Sequence, residues 1–502
     1  MKNSIKQFVK SGAVLLALSL AFTSCDELIG ELDNIAPSPV TPTPEPEPEP
    51  KPKPEPTLSK NYRVYTSGTA FTDEPIPAGA TVVESSTADV TWSAGTYVVD
   101  GNKTITGDIT LTGDVKLILR DGAELKVNGR IAGGDKSLNI YGQEAGTGKL
   151  TMDGSAGTGA LNNILVQNLQ IHGGDITGTN SNWAITTNGT FKIFHGTVSA
   201  TAQKHGLIVY NGDLSIYGGS ITASTTTSST PAYAVFVTNA AMEMTGGKLT
   251  ATATGASNHG IFVDKDINIS GGTVNATGGS STSGNGGCGI ESYGGDITIS
   301  GTADVTAKGG NGGTTGGDGI VAANTSGKTI TISGGTVNAI AGSGITHGST
   351  LSTYNYTGSI NITGGNVTAT NGSCGIYSNT IEIDGNSTIV NSKGSASGIK
   401  AATSITFKAG TVTCESTDNS SNAIDAEFGN IYYHGGTITG TGGTNGFIGY
   451  ITNYSGATVT IGNKASSDAE WSDGTTIDNG DTKTTYIFAT YMILPKPATT
   501  TP

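Results

Sequence analysis

The residues best equipped for chemistry sit in short, similar segments in the middle of the chain. Five carboxylates, Asp264, Asp266, Glu291, Asp296 and Asp318, fall in or beside segments built on Gly-Ile. If those segments lie side by side, their oxygens are the donors a Ca2+ ion would take, since it needs about six to eight. No EF-hand loop or Gly-Asp nonapeptide run accompanies them, so a solvated acidic face competes with the calcium reading. His259, Cys288 and Asp318 each stand immediately before a Gly. A Cys-His pair has the makings of a nucleophile, whereas a corner residue ordinarily serves by satisfying turn amides. Two sets of rings recur at fixed places. Tyr141, His172, Phe194 and Tyr217 each follow an apolar-x-apolar triplet, and Phe236 and Phe262 share with Glu291, Val321 and Tyr377 the place after the apolar residue of the Gly-Ile segment. Rows of rings on a flat surface are suited to stacking on the apolar C–H faces of sugars, or to packing under a loop.

What positions these residues is a repeat. The first segments read LQIHGGDITGT from Leu169, LSIYGGSITAS from Leu214, INISGGTVNAT from Ile267, ITISGGTVNAI from Ile330 and INITGGNVTAT from Ile360. The third segments read HGIFV from His259, CGIES from Cys288, DGIVA from Asp318, CGIYS from Cys374 and SGIKA from Ser397. Each repeat therefore holds three short strands of period two, and none can bury its apolar face alone. Stacking solves that, with Ile171, Ile193, Ile216 and their successors as an inward ladder. The corner glycines, Gly174, Gly196, Gly219, Gly247, Gly272, Gly301, Gly335, Gly365, Gly385, Gly410 and Gly436, would take backbone angles that other residues avoid. The expected fold is all-β, a single-stranded right-handed parallel β-helix with three short strands per coil and terminal caps. Coils rising by about 4.8 Å would make a rod of roughly 50 Å. Its expected organisation is a signal peptide at 1–24, an acidic then Pro-rich linker at 25–57, an N-terminal cap at 58–96, the β-helix at 97–465, and a C-terminal cap and tail at 466–502. The second segments carry Thr-x-Thr pairs similar to the flat faces of ice-binding β-helices, but Asp175, Lys248 and Asp304 interrupt that array.

Composition narrows the function. A net charge of −14 argues against nucleic acid as a partner, because phosphate backbones demand a basic surface. Arg63, Arg120 and Arg130 are the only arginines, so the repeats hold no Arg of the kind polysaccharide lyases use as a base. No paired-carboxylate signature of a hydrolase accompanies the strands either. Cys288, Cys374 and Cys414 are widely spaced and do not describe a disulfide scaffold, so buried thiols are expected.

The N-terminus reads as an export signal. Lys2, Lys6 and Lys10 precede an apolar or small run from Ser11 to Phe22, too short to span a bilayer. Phe22-Thr23-Ser24-Cys25 resembles the lipobox of bacterial lipoproteins, although Phe22 stands where an aliphatic residue is usual. That resemblance implies lipid attachment at Cys25 and a membrane anchor. The acidic cluster Asp26, Glu27, Glu31 and Asp33 is similar to the surface-export signal of some diderm lipoproteins, which implies a place on the outer face of the outer membrane. From Ala36 to Pro56 alternating Pro gives a polyproline stalk of roughly 60 Å. The repeats between Leu169 and Gly446 resemble a family of bacterial carbohydrate-binding β-helix proteins that hold cellulose or acidic plant polysaccharide, some with calcium. The resemblance implies a non-catalytic, surface-displayed glycan binder. An adhesin or structural spacer engaging other surface proteins is the alternative, and a polysaccharide lyase or hydrolase comes third.

Overall fold

All eleven corner glycines of the repeat have positive φ, from +60° at Gly301 to +92° at Gly410. The turn they make is open only to a residue without a Cβ clash. The computed structural model that shows this describes residues 61–154, 162–227, 231–323, 327–344, 348–353, 357–464, 472–485 and 491–496. The export signal, Cys25, the Pro-rich stalk and Trp471 lie outside the described residues. No described helix is long and apolar enough to cross a membrane.

Through the body of the chain, each strand pairs in parallel with the strand three along, so one coil contains three strands and the fold is a parallel β-helix. In the first sheet Ile267–Ile269 lies between Met242–Met244 and Ile297–Ile299. In the second, Thr273–Thr277 lies between Lys248–Thr252 and Asp304–Lys308. In the third, Ile290–Ser292 lies between Ile261–Val263 and Ile320–Ala322. Alternation decides which residues fill the interior. Ile140, Ile171, Ile193, Ile216, Met244, Ile269, Ile299, Ile332 and Ile362 stand in one register column, all 0–1% exposed. Each contributes about 1.5–3 kcal/mol by leaving water.

A second column explains part of the acidic sequence. Immediately before the first strand, a side-chain oxygen accepts the amide of the equivalent residue one coil on. Asp114 takes Ser137 N–H at 2.8 Å, Asn168 takes Thr190 at 2.9 Å, Asp213 takes Ala241 at 3.0 Å, Asp266 takes Asp296 at 2.9 Å and Asp296 takes Thr329 at 2.9 Å. These four carboxylates and one carboxamide satisfy corner amides that the sheets leave unpaired.

Both ends differ from the expected bounds: Val459–Lys464, inside the stretch assigned to the β-helix, pairs only antiparallel among the described residues, and the parallel ladder begins upstream of residue 97. At the C-terminal end, Tyr491–Leu494 runs antiparallel to Thr437–Thr441 and to Val459–Lys464, and Thr482–Thr485 runs antiparallel to Asn445–Asn453. Met492 and Leu494 are buried there, so the last coil's edge is covered. At the N-terminal end, the parallel ladder already runs at Thr81–Val82 and Val90–Trp92, inside the stretch assigned to a cap. What precedes it is an antiparallel hairpin of β1 (Asn61–Tyr65) and β2 (Phe71–Pro75). Rather than closing the end, the hairpin lies along the flank of the helix, for reasons that its contacts make plain.

Candidate functional site

The aromatic column of the first sheet forms as expected, but the hairpin covers it. Tyr141, His172, Phe194 and Tyr217 stack ring on ring with centroids 4.7, 4.7 and 5.0 Å apart. The register extends the column upstream through Ile118 to Val98, which also point outward. β1 runs along it. Tyr62 meets Tyr141 edge-on at 5.0 Å, the Tyr65 amide donates to His172 Nδ1 at 3.1 Å, and the Tyr65 ring stacks on His195 at 4.5 Å. At the hairpin tip, a Cβ on Gly68 would fall 2.2 Å from the Tyr217 carbonyl oxygen, so only Gly fits. The next residue of the column is Thr245, and the rings end where the hairpin ends. Burial pushes the Tyr141 hydroxyl up to about 12 and holds His172 down to about 4, although its bond to Tyr65 opposes the shift. Tyr141 and His172 are thus buried at 6% and 5% exposure and are not open to a sugar.

A second aromatic cluster, on the third sheet, has no such cover among the described residues. Three outward columns run down this face. The corner column reads Trp183, His205, Tyr233, His259, Cys288 and Asp318; the middle one reads Thr186, Ile208, Phe236, Phe262, Glu291 and Val321; the outer one includes Tyr210, Thr238, Asp264 and Tyr293. Tyr233 stacks on Phe262 at 4.9 Å and meets Phe236 at 4.9 Å. Phe262 contacts Tyr293 at 5.6 Å, and Phe236 meets His205 at 5.5 Å and Tyr210 at 6.3 Å. Tyr293 is 43% exposed, while Tyr210, Tyr233 and Phe236 are half-buried. From Trp183 to Tyr293 the patch spans five coils, about 19 Å.

Beside it, the corner column becomes polar and nearly buried. His205 Nδ1 accepts the Tyr233 amide, and His259 Nδ1 accepts the Cys288 amide, both at 3.1 Å. The Cys288 thiol in turn accepts the Asp318 amide, and the Asp318 carboxylate accepts the Ser349 amide and, at 2.8 Å, the Ser352 hydroxyl. His205, His259, Cys288 and Asp318 therefore each satisfy an amide of the next coil. Glu291, from the middle column, adds a carboxylate oxygen 3.0 Å from His259 Nδ1. Burial and the neighbouring Asp318 raise Glu291 to about 7, burial raises Asp318 to about 6, and burial lowers His259 to about 4. The His259–Glu291 contact is accordingly not one between ions. Burial also pushes the Cys288 thiol well up, so it is a poor nucleophile.

The five carboxylates read as a calcium group do not converge. Asp266 and Asp296 serve corner amides, Asp264 accepts the Thr238 hydroxyl at 2.6 Å and the Asn239 amide at 2.8 Å, and only Glu291 and Asp318 adjoin each other. Among the described residues, the metal-type donors that come together are instead His259, Cys288 and Glu291, whose ligand atoms lie within 4.8 Å of one another. Cys288, Cys374 and Cys414 are free thiols, Cys288 only partly shielded and the other two buried. Tyr210, Tyr233 and Tyr293 are patch members that the motif pattern did not flag. The signal was present at two further places in the third segment, the corner residue and the residue five along. Comparison of the chain with protein-family models, with curated proteins and with solved structures finds no match.

Proposed function

We propose that the chain is a non-catalytic polysaccharide-binding protein that holds its ligand on the aromatic patch of the third sheet. The observation that carries this reading is the contrast between two ring clusters: the hairpin runs along the first, burying Tyr141 and His172 and leaving Phe194 and Tyr217 half-buried beside it, while the second has no such cover among the described residues and presents half-buried Tyr210, Tyr233 and Phe236 together with Tyr293, 43% exposed, over successive coils. An exposed aromatic surface of this length is costly to leave wet and marks an interaction site. A neutral glycan suits it, because the chain carries −14 and the patch adjoins Asp264, Glu291 and Asp318, so a uronate polymer would meet like charge. The high-lying Cys288 thiol and the commitment of Asp318 to Ser349 and Ser352 support the absence of catalysis. Anchorage through lipid on Cys25, with display at the outer membrane surface, is part of the same proposal and rests on the N-terminal motif.

The test is retention on insoluble or gel-embedded neutral polysaccharides. The double variant Tyr233→Ala, Tyr293→Ala is expected to bind about 30- to 150-fold more weakly, as two stacking contacts of about 1–1.5 kcal/mol each are lost. Tyr141→Ala, under the hairpin, is expected to bind as the wild type does. Retention that survives loss of both tyrosines, or that responds to Tyr141 instead, would sink the assignment; retention only by surface proteins would favour the adhesin reading. Because the five carboxylates do not converge, adding Ca2+ to metal-stripped protein should leave polysaccharide affinity unchanged.

A further inference from the structure

We propose that His259, Cys288 and Glu291 form a binding site for a thiophilic divalent cation of the zinc class, built into the corner between the second and third sheets. The three residues come from two adjacent coils, held in register by the Ile261–Ile290 pairing. Their donor atoms are a nitrogen, a sulfur and a carboxylate oxygen, all within 4.8 Å of one another. A tetrahedral zinc ion places such donors about 3.4–3.6 Å apart. The His259 Nδ1 to Glu291 Oε2 distance is already 3.0 Å, so closing the set takes shifts of about 1 Å or less.

The hydrogen bonds of the cluster show which protons a cation would replace. His259 Nδ1 accepts the Cys288 amide proton, so this nitrogen carries a lone pair and the ring's own proton is on Nε2. It nevertheless faces a carboxylate oxygen, another lone-pair bearer, at 3.0 Å with only 16% and 11% of the two side chains exposed. The Cys288 thiol donates to Glu291 and the one lone pair of Nδ1 is taken by the Cys288 amide, so a cation would replace the thiol proton and take Nδ1 as that amide turns away from the ring. Around them stand two more acids, Cys288 and Asp318, and among the described residues no Lys or Arg forms an ion pair with Glu291 or Asp318. A divalent cation bound by a thiolate, a carboxylate and a neutral imidazole is electrically balanced. The Asp318 amide already points at the Cys288 sulfur, the kind of supporting bond that stabilises a metal-bound thiolate. Calcium and magnesium are disfavoured, because they require oxygen donors and only one of these three ligands supplies any. Three protein ligands leave a fourth position for a water or another oxygen.

The experiment titrates the metal-stripped full-length chain with Co2+ and records the absorption spectrum. The expected result is saturation at a single equivalent, with a thiolate-to-cobalt charge-transfer band in the near ultraviolet. One equivalent of Zn2+ should erase that band, and excess Ca2+ should not. Cys288→Ser should abolish it, while Cys25→Ser and Cys374→Ser should keep it. Glu291→Gln preserves volume and should weaken Co2+ binding at least about tenfold without changing the circular dichroism. This variant decides the matter if Cys288→Ser fails to fold. Absence of the band in the wild-type chain, its persistence without Cys288, or unchanged affinity in Glu291→Gln would overturn the site and leave a shared proton between His259 and Glu291.

Discussion

Phe191→Ala is expected to destabilise the protein by about 3–5 kcal/mol, whereas Phe194→Ala, three residues along, should cost only about 1–1.5 kcal/mol. The two rings are on opposite sides of one strand. Phe191 points inward between Leu169 and Leu214 and is 0% exposed, so its removal leaves a cavity in a ladder that cannot collapse without disturbing both neighbours. Phe194 points outward between His172 and Tyr217, and its loss removes two stacking contacts and no interior volume. In a solenoid each coil is held chiefly by its neighbours, so the Phe191 cavity weakens two coil interfaces at once and should promote opening near that point. Chemical denaturation of the two variants side by side measures the difference. Equal losses would mean that the inward and outward assignment of this strand is wrong.

That assignment illustrates what the chain makes legible locally. Apolar residues two apart, followed by glycines at fixed offsets, specify strand, face and corner without long-range information, and the eleven positive φ values follow from glycine's freedom. The hairpin could not be read the same way. Tyr65 and His172 are 107 residues apart, and no periodicity connects them. A subtler sign was present: Val98 and Ile118 continue the outward column, and an apolar outward column on a flat sheet needs a cover. The third sheet was half legible. Register places His259, Cys288 and Asp318 in one column, as their position before Gly suggested. Glu291 belongs to the neighbouring column, however, so its approach to His259 is a fact of three dimensions. Similarly, the acids at the corner before the first strand look like a metal group when counted, and prove to be amide acceptors when each oxygen is traced to its donor.

The hairpin supplies the second large effect, through acid. When docked, it buries His172, whose imidazole is held down from 6.5 to about 4, chiefly by desolvation, against the opposing pull of the Tyr65 bond. Once undocked, the ring would titrate nearer 6.5. Above that pH both states hold it neutral and docking is at full strength. As pH falls from 6.5 toward 4 the undocked state binds a proton that the docked state refuses, and docking weakens by up to about 3 kcal/mol before levelling off. His195, stacked on Tyr65 and lowered by desolvation and by Arg63, works in the same direction. The other charges at this contact are Arg63, largely shielded, with Asp73 at 3.4 Å and Glu144 at 3.3 Å, two carboxylates open to solvent and screened by it. Hydrogen exchange at the Tyr65 amide, corrected for the intrinsic effect of pH, should therefore show protection falling between pH 7.5 and 4.5. His172→Phe keeps a ring in the stack but neither titrates nor accepts the amide, so its protection should be lower at pH 7.5 and much less dependent on pH. A wild type whose protection is flat across this range, or a variant that follows the wild-type curve, would show that His172 does not control how the hairpin sits on the column.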